Sequence, residues 1–88
     1  MYTVVGRRAC PYCQAAMRVL EETNLPYQFV DILQATDAER EQLYQLASQA
    51  STEVWRTVPM IWWTDAAGQR TFVGGYTELH ERVRANPY

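Results

Sequence analysis

Residues 6–13 read Gly6-Arg7-Arg8-Ala9-Cys10-Pro11-Tyr12-Cys13 (GRRACPYC) and hold both cysteines of the 88-residue chain. Before them, Tyr2 to Val5 is a β-branched run headed by an aromatic and ended by Gly6, the pattern of a first strand. After Cys10, Pro11 suits the first turn of a helix, where its missing N–H would have no partner and its φ is already helical. Ala16, Met17, Val19 and Leu20 then give an apolar helical face up to about Glu22, closed by Asn24 and Pro26. A strand, a turn carrying two thiols and a helix therefore follow one another.

Further along, Tyr27 to Leu33 (YQFVDIL) is aromatic, β-branched and short enough for a second strand. Thr36-Asp37-Ala38-Glu39 matches a capping box, and Leu43, Leu46, Ala47 and Ala50 recur at helical spacing, which predicts a helix over about Asp37 to Ala50. Met60 to Trp63 and Arg70 to Val73 read as an antiparallel hairpin around a polar turn with Asp65 and Gly68. Gly74-Gly75 breaks the last strand, and Thr77 is the expected cap of a final helix to about Ala85.

The order is βαβαββα: an α/β fold with a four-stranded mixed sheet and three flanking helices. The first two strands should lie parallel across a helical crossover, with the hairpin antiparallel at an edge and helices on both faces. Trp62 and Trp63 must point to opposite faces of their strand. Between Gln49 and Thr57 no pattern guides the reading.

The length predicts a single domain over residues 1–88. Apolar residues at 48% and charged residues at 20% place the chain among folding sequences rather than disordered ones. A formal net charge of −2 gives no electrostatic reason to expect nucleic acid or an anionic membrane as partner. All eight basic residues are arginine, which reads as a compositional habit, since lysine would serve equally on most solvated surfaces. The N-terminus has its arginines after the short apolar run rather than before it, unlike a secretory signal. No apolar run approaches the roughly 20 residues needed to span a bilayer. The expected location is the cytoplasm, where thiols are kept reduced and a Cys-x-x-Cys is catalytic or metal-binding rather than a permanent bridge.

Side chains three apart on a helical turn lie roughly 5 to 6 Å apart, within disulfide reach. Cys10 precedes Pro11 and should meet the unpaired N–H groups of the helix start, whereas Cys13 lies a turn inside and should be less exposed. An ordinary thiol, of pKa about 8.5, is only a few per cent thiolate at pH 7; lowering the pKa to about 7 makes it half thiolate, at about 2 kcal/mol. A helix terminus supplies about 0.3 to 1 kcal/mol, or about 2 in partly buried sites, and Arg7 and Arg8 are the obvious supplement. This makes Cys10 the candidate nucleophile and Cys13 the resolving thiol. The competing reading is a zinc half-site or two structural thiols. A structural zinc wants four ligands, and beyond the cysteines only His80 and carboxylates remain.

Cys10-Pro11-Tyr12-Cys13, Thr57-Val58-Pro59 and Gly74-Gly75-Tyr76-Thr77, in that order after an initial strand, resemble the glutaredoxins over nearly the whole chain. The resemblance implies a thioredoxin fold and glutathione-dependent thiol-disulfide exchange. It implies a catalytic pair, Cys10 and Cys13, and a glutathione site of Arg7, Tyr12, Thr57, Val58, Pro59, Gly75, Tyr76, Thr77 and Glu78. Pro59 would be cis, Arg7 would meet glutathione's glycine carboxylate, and the N–H groups of Tyr76 and Thr77 would receive the γ-glutamyl carboxylate. Glu78 stands where many members have aspartate, and so is read either as a contact to glutathione's amino group or as a first-turn acid paired with Arg82. Trp55 is a candidate for the groove rim or for the core. The stretch Thr64 to Thr71 lengthens the hairpin relative to small glutaredoxins. Glutathione is the implied co-substrate, with no permanently bound cofactor and no metal. The implied partners are disulfide-containing or glutathionylated proteins, ribonucleotide reductase being a common client, and the implied state is a monomer. Two alternatives stay open: a [2Fe-2S] carrier binding its cluster through Cys10 and glutathione in a dimer, and an electron donor reduced by thioredoxin reductase.

Overall fold

The computed structural model describes residues 1–51 and 53–85; residue 52, within the unpatterned stretch, and residues 86–88, within the span read as one domain, lie outside the described residues. The elements are β1 (Tyr2–Gly6), α1 (Pro11–Glu22), β2 (Tyr27–Asp31), a 3-10 turn (Ile32–Gln34), α2 (Asp37–Ser51), β3 (Met60–Thr64), β4 (Arg70–Gly74) and α3 (Tyr76–Ala85). The sheet order is β2-β1-β3-β4. β1 runs parallel to β2, with Val4 opposite Phe29, and antiparallel to β3, with Val4 opposite Ile61. β4 closes the edge antiparallel to β3, with a bulge between Ile61 and Trp62.

All five residues of β1 are buried, because strands flank it on both sides and helices cover both faces. Tyr2, Val4 and Ile61 face one way and pack with Ala16 and Leu20 of α1 and Leu79 and Val83 of α3. Val5, Met60 and Trp62 face the other way, against Ala47 of α2 and Ile32. Trp62 and Trp63 divide as the strand alternation requires, Trp62 in the second cluster and Trp63 against the first.

Local chemistry sets the helix ends. α1 stops at Asn24, whose φ of 56° is left-handed; the N–H of Asn24 reaches Glu21 O and that of Leu25 reaches Leu20 O, a Schellman closure. The capping box of α2 is formed: Thr36 Oγ1 accepts the Glu39 N–H at 3.1 Å, and Glu39 returns a carboxylate oxygen to the Thr36 N–H at 2.8 Å.

Three expectations are corrected. β2 ends at Asp31, not Leu33, because Asp31 Oδ1 accepts the Leu33 N–H and folds the chain into the 3-10 turn. α3 starts one residue before Thr77: Gly75 is the cap, its carbonyl accepting the Leu79 N–H, so Thr77 lies inside the helix. Arg82 does not pair with Glu78. It donates to Tyr2 Oη at 3.1 Å and lies over the rings of Tyr2 and Trp63.

The arginines also do more than solvate a surface. Arg8 lies 4.9 Å from the Phe29 ring centre, Arg56 5.6 Å from Tyr44 and Arg70 5.2 Å from Trp62, so with Arg82 four of the eight stack on aromatics. A planar guanidinium does this better than an ammonium. The hairpin beyond Thr64 is tied by Asp65, whose Oδ1 accepts the N–H groups of Ala67 and Gln69, with Gly68 at φ +84°. Among the described residues no helix is long and apolar enough to cross a membrane.

Packing of α1 should govern stability. Leu20, fully enclosed, should cost about 2–5 kcal/mol on conversion to alanine. Leu46→Ala on the exposed side of α2, where the side chain is 40% exposed, should cost well under half as much. Urea denaturation of the two variants checks the contrast.

Candidate functional site

The strand directions gather the motifs. β1 ends at Gly6, β3 runs back beside it starting at Met60, and β4 returns to end at Gly74, so the Cys10 turn, the Thr57–Pro59 segment and the start of α3 share one end of the sheet. Val5 lies opposite Met60 and Ile61 opposite Gly74.

Cys10 is the N-cap residue of α1, with φ −79°, ψ 122° and Pro11 behind it in the first turn. Its carbonyl accepts the Gln14 N–H at 3.0 Å and its own N–H donates to Arg7 O at 3.2 Å. Gln14 Nε2 donates to Arg8 O at 2.6 Å, which fastens the turn to the helix. The sulfur stands where a serine or aspartate oxygen would cap the helix. Desolvation pushes its pKa up, but the thiol of Cys13, the backbone N–H groups of Cys13 and Tyr12, and the charge of Arg7 outweigh it and hold Cys10 below the ordinary thiol value. Cys13, 0% exposed, goes the other way: burial, reinforced by the neighbouring Cys10 sulfur, pushes it up to about 11 against the opposing N–H of Arg7. Both cysteines are free thiols.

Gly6 explains how Cys13 fits. A Cβ at residue 6 would stand 2.4 Å from Cys13 Sγ and 3.7 Å from Pro59 Cα. Hydrogen in that position lets the end of β1, the buried thiol and the proline segment converge. Sequence reading took Gly6 only as a strand end; a glycine between a buried strand and a Cys-x-x-Cys is the signal that a backbone passes close by.

Beside the turn lies a groove of about 340 Å³, walled by Tyr12, Trp55, Thr57, Val58, Pro59, Gly75, Tyr76, Thr77 and Glu78. Eight of the nine residues expected at a glutathione site are thus brought together. Arg7 is not on the wall; it is exposed beside the cysteines, and its charge acts on both. The Val58–Pro59 bond is cis, as expected. Tyr12, 64% exposed, leans toward Tyr76 with ring centres 6.1 Å apart, and Tyr76 in turn lies 5.8 Å from His80. Glu78 folds back along the chain: its Oε1 accepts the Gly75 N–H at 2.7 Å, closing the start of α3. A Cβ on Gly74, whose φ is +125°, would collide with that side chain at 2.7 Å. Arg8 points away, over Phe29.

Trp55 serves both of the roles considered for it. It lines the groove and also packs on the second core, edge-on to Phe72 at 5.0 Å. Among the described residues no group of three or more histidine, cysteine or acidic side chains is placed to hold a metal ion.

The glutaredoxin family model matches residues 1–66. The structure is similar to that of reduced Escherichia coli glutaredoxin, with a TM-score of 0.67 and 30% identity, covering 97% of this chain and 94% of that one. It is also similar to glutaredoxin 1 from Francisella tularensis, solved with cacodylate, with a TM-score of 0.68 and 26% identity over 96% of this chain and 92% of that one. For the buckwheat glutaredoxin–glutathione complex the TM-score is 0.72 at 23% identity, over 98% and 70% of the two chains. No curated protein matches the sequence. The architecture is the thioredoxin fold.

Alkylation should separate the thiols. With a small alkylating agent, Cys10 should react with a pH midpoint below that of an ordinary thiol, because its thiolate is favoured, while Cys13 stays protected until the pH nears about 11. Mass spectrometry of the modified peptides reads both. Gly6→Ala should destabilise the protein by about 1–3 kcal/mol and expose Cys13 to the reagent at lower pH.

Proposed function

We propose, from the premise that this chain belongs to the glutaredoxin family and is a thiol-disulfide oxidoreductase, that it is a cytoplasmic, monomeric enzyme using glutathione to reduce protein disulfides and glutathione mixed disulfides. One observation carries the reading. Cys10, a thiol with a lowered pKa, occupies the N-cap position of a helix beside a peptide-sized groove, and a second, protonated sulfur waits enclosed behind it.

The cycle follows from that asymmetry. Cys10 thiolate attacks one sulfur of the substrate disulfide; that S–S bond breaks, a Cys10–substrate mixed disulfide forms, and the other sulfur leaves as a thiolate that takes up a proton. In the mixed disulfide Cys10 no longer carries negative charge. Burial still disfavours ionisation of Cys13, but the contribution of the Cys10 anion is gone, so Cys13 gives up its proton more readily at the step where it is needed. Its attack on Cys10 Sγ releases the reduced substrate and leaves the Cys10–Cys13 disulfide. One glutathione thiolate then opens that disulfide, forming a Cys10–glutathione adduct, and a second removes the first as glutathione disulfide. On a glutathione mixed disulfide Cys10 alone suffices, the adduct being cleared by glutathione.

For the groove, we assign Val58 to pairing its backbone with the peptide part of glutathione, and the N–H groups at the start of α3 to its γ-glutamyl carboxylate. Arg7, without an ion-pair partner among the described residues, is assigned to the glycine carboxylate. Tyr12 and Tyr76 form the aromatic side of the groove. Glu78, held on the Gly75 N–H, is in place as a cap of α3 and not extended toward the groove's middle.

The test is a steady-state assay with glutathione, glutathione reductase and a small glutathione mixed disulfide. Cys10→Ser should abolish turnover. Cys13→Ser should keep deglutathionylation within about threefold while losing most reduction of protein disulfides. Turnover by the Cys10 variant, or a wild-type protein reduced by thioredoxin reductase and not by glutathione, would refute the proposal.

A further inference from the structure

We infer that Trp55 is a specificity-determining residue of the groove: its indole fixes the Thr57–Pro59 wall and supplies the apolar surface on which the carbon chain of bound glutathione packs. The inference rests on the glutathione reading and adds to it a residue outside the recognised Cys-Pro-Tyr-Cys, Thr-Val-Pro and Gly-Gly motifs.

Trp55 is held by its backbone, its indole N–H and one ring edge, and lines the groove as well. Its backbone N–H donates to Ser48 Oγ of α2 at 2.7 Å, and Ser48 Oγ donates in turn to the Tyr44 carbonyl at 2.8 Å, which ties Trp55 to that helix. The indole Nε1–H donates to Thr57 O at 3.1 Å, so the ring holds the very segment that leads to Val58 and Pro59. Phe72 braces it edge-on. The same edge of the ring also reaches the far wall, with Cζ2 3.6 Å from where a Gly75 Cβ would stand. One edge of the indole therefore touches both the segment leading to the proline and the turn before α3.

The charge around it points to the same contact. Among the described residues Glu78 is the one Asp, Glu, Lys or Arg on the groove wall, and its carboxylate is engaged by the Gly75 N–H. Arg56, the cation next to Trp55 in sequence, is exposed and drawn away by Glu41 through two hydrogen bonds of 2.7 Å each. At Trp55 itself the contact offered is thus apolar, and the methylene carbons of glutathione are the part of the ligand that the ring can hold, beside the backbone contacts assigned to Val58 and the start of α3.

The experiment compares wild type, Trp55→Ala and Trp55→Phe in the glutathione mixed-disulfide assay, with the pH midpoint of Cys10 alkylation measured for each. Trp55→Ala should raise KM about tenfold while kcat and the Cys10 midpoint stay within about twofold and within error, respectively. Trp55→Phe, which keeps an aromatic wall and loses the bond to Thr57, should raise KM by no more than about threefold. In a separate reading, tryptophan emission should change on titrating glutathione into the reduced wild type and not into Trp55→Phe. A KM for Trp55→Ala within twofold of wild type, a Phe variant as impaired as the Ala variant, or a kcat loss that tracks a shifted Cys10 midpoint would each overturn the inference. A wild-type protein inactive with glutathione would instead remove the glutathione reading beneath it, so the two failures are distinct.

Discussion

The site depends on a sulfur standing where a helix expects an oxygen. Every α-helix begins with N–H groups that have no intrahelical acceptor, and an N-cap side chain ordinarily meets them. Here the N-cap residue is Cys10, whose side chain makes no capping hydrogen bond, and the N–H groups of Tyr12 and Cys13 beside its sulfur help to hold its pKa down. A neutral thiol is a poor acceptor, so the unmet need of the helix end is expressed as a preference for the ionised form. Pro11 gives up nothing, since its position is one that needs no donor. Secondary structure and reactivity are in this way the same interaction seen from two sides.

The sheet makes that interaction useful. With β1 in the middle, one end of the molecule receives the end of β1, the start of β3 and the end of β4. The first places the cysteines, the second Val58 and Pro59, and the third Gly75 and Tyr76. These groups are separated by tens of residues in the chain. At Gly6, where the Cys13 sulfur leaves no room for a side chain and Pro59 lies at contact distance, the first two of these meet.

What the sequence made readable were the features governed by neighbours within a turn or a strand. The Thr36–Glu39 box, the Asn24 stop, the proline at the start of α1 and the alternation of Trp62 and Trp63 all need only a few residues to specify them. What escaped depends on partners far off or on competition between two local options. Arg82 could reach Glu78 four residues away, yet chooses Tyr2 and Trp63, eighty and nineteen residues distant, because the aromatic seat is half-enclosed and the helix surface is wet. Both Gly75 and Thr77 could open α3. Glu78, by closing on the Gly75 N–H, gives the position to the glycine. Asp31 likewise ends β2 early through a side-chain bond no hydrophobic pattern records. In the site, the cysteines and most of the wall were legible as motifs. Trp55 was ambiguous because an indole that both packs and lines a cavity carries the same signal for either.

The arginines bear on the two open edges of the sheet. β2 and β4 are the outer strands, each with an open row of backbone donors and acceptors that a strand from another molecule might join. Phe29 of β2 carries the guanidinium of Arg8 above its ring, and Arg70, itself on β4, lies over Trp62 of the adjoining strand. At each margin a delocalised charge is pinned by a ring already committed to the interior. A second chain approaching either border to begin a fibril would have to strip water from that charge, so the aromatics that fill the fold also guard it against polymerising.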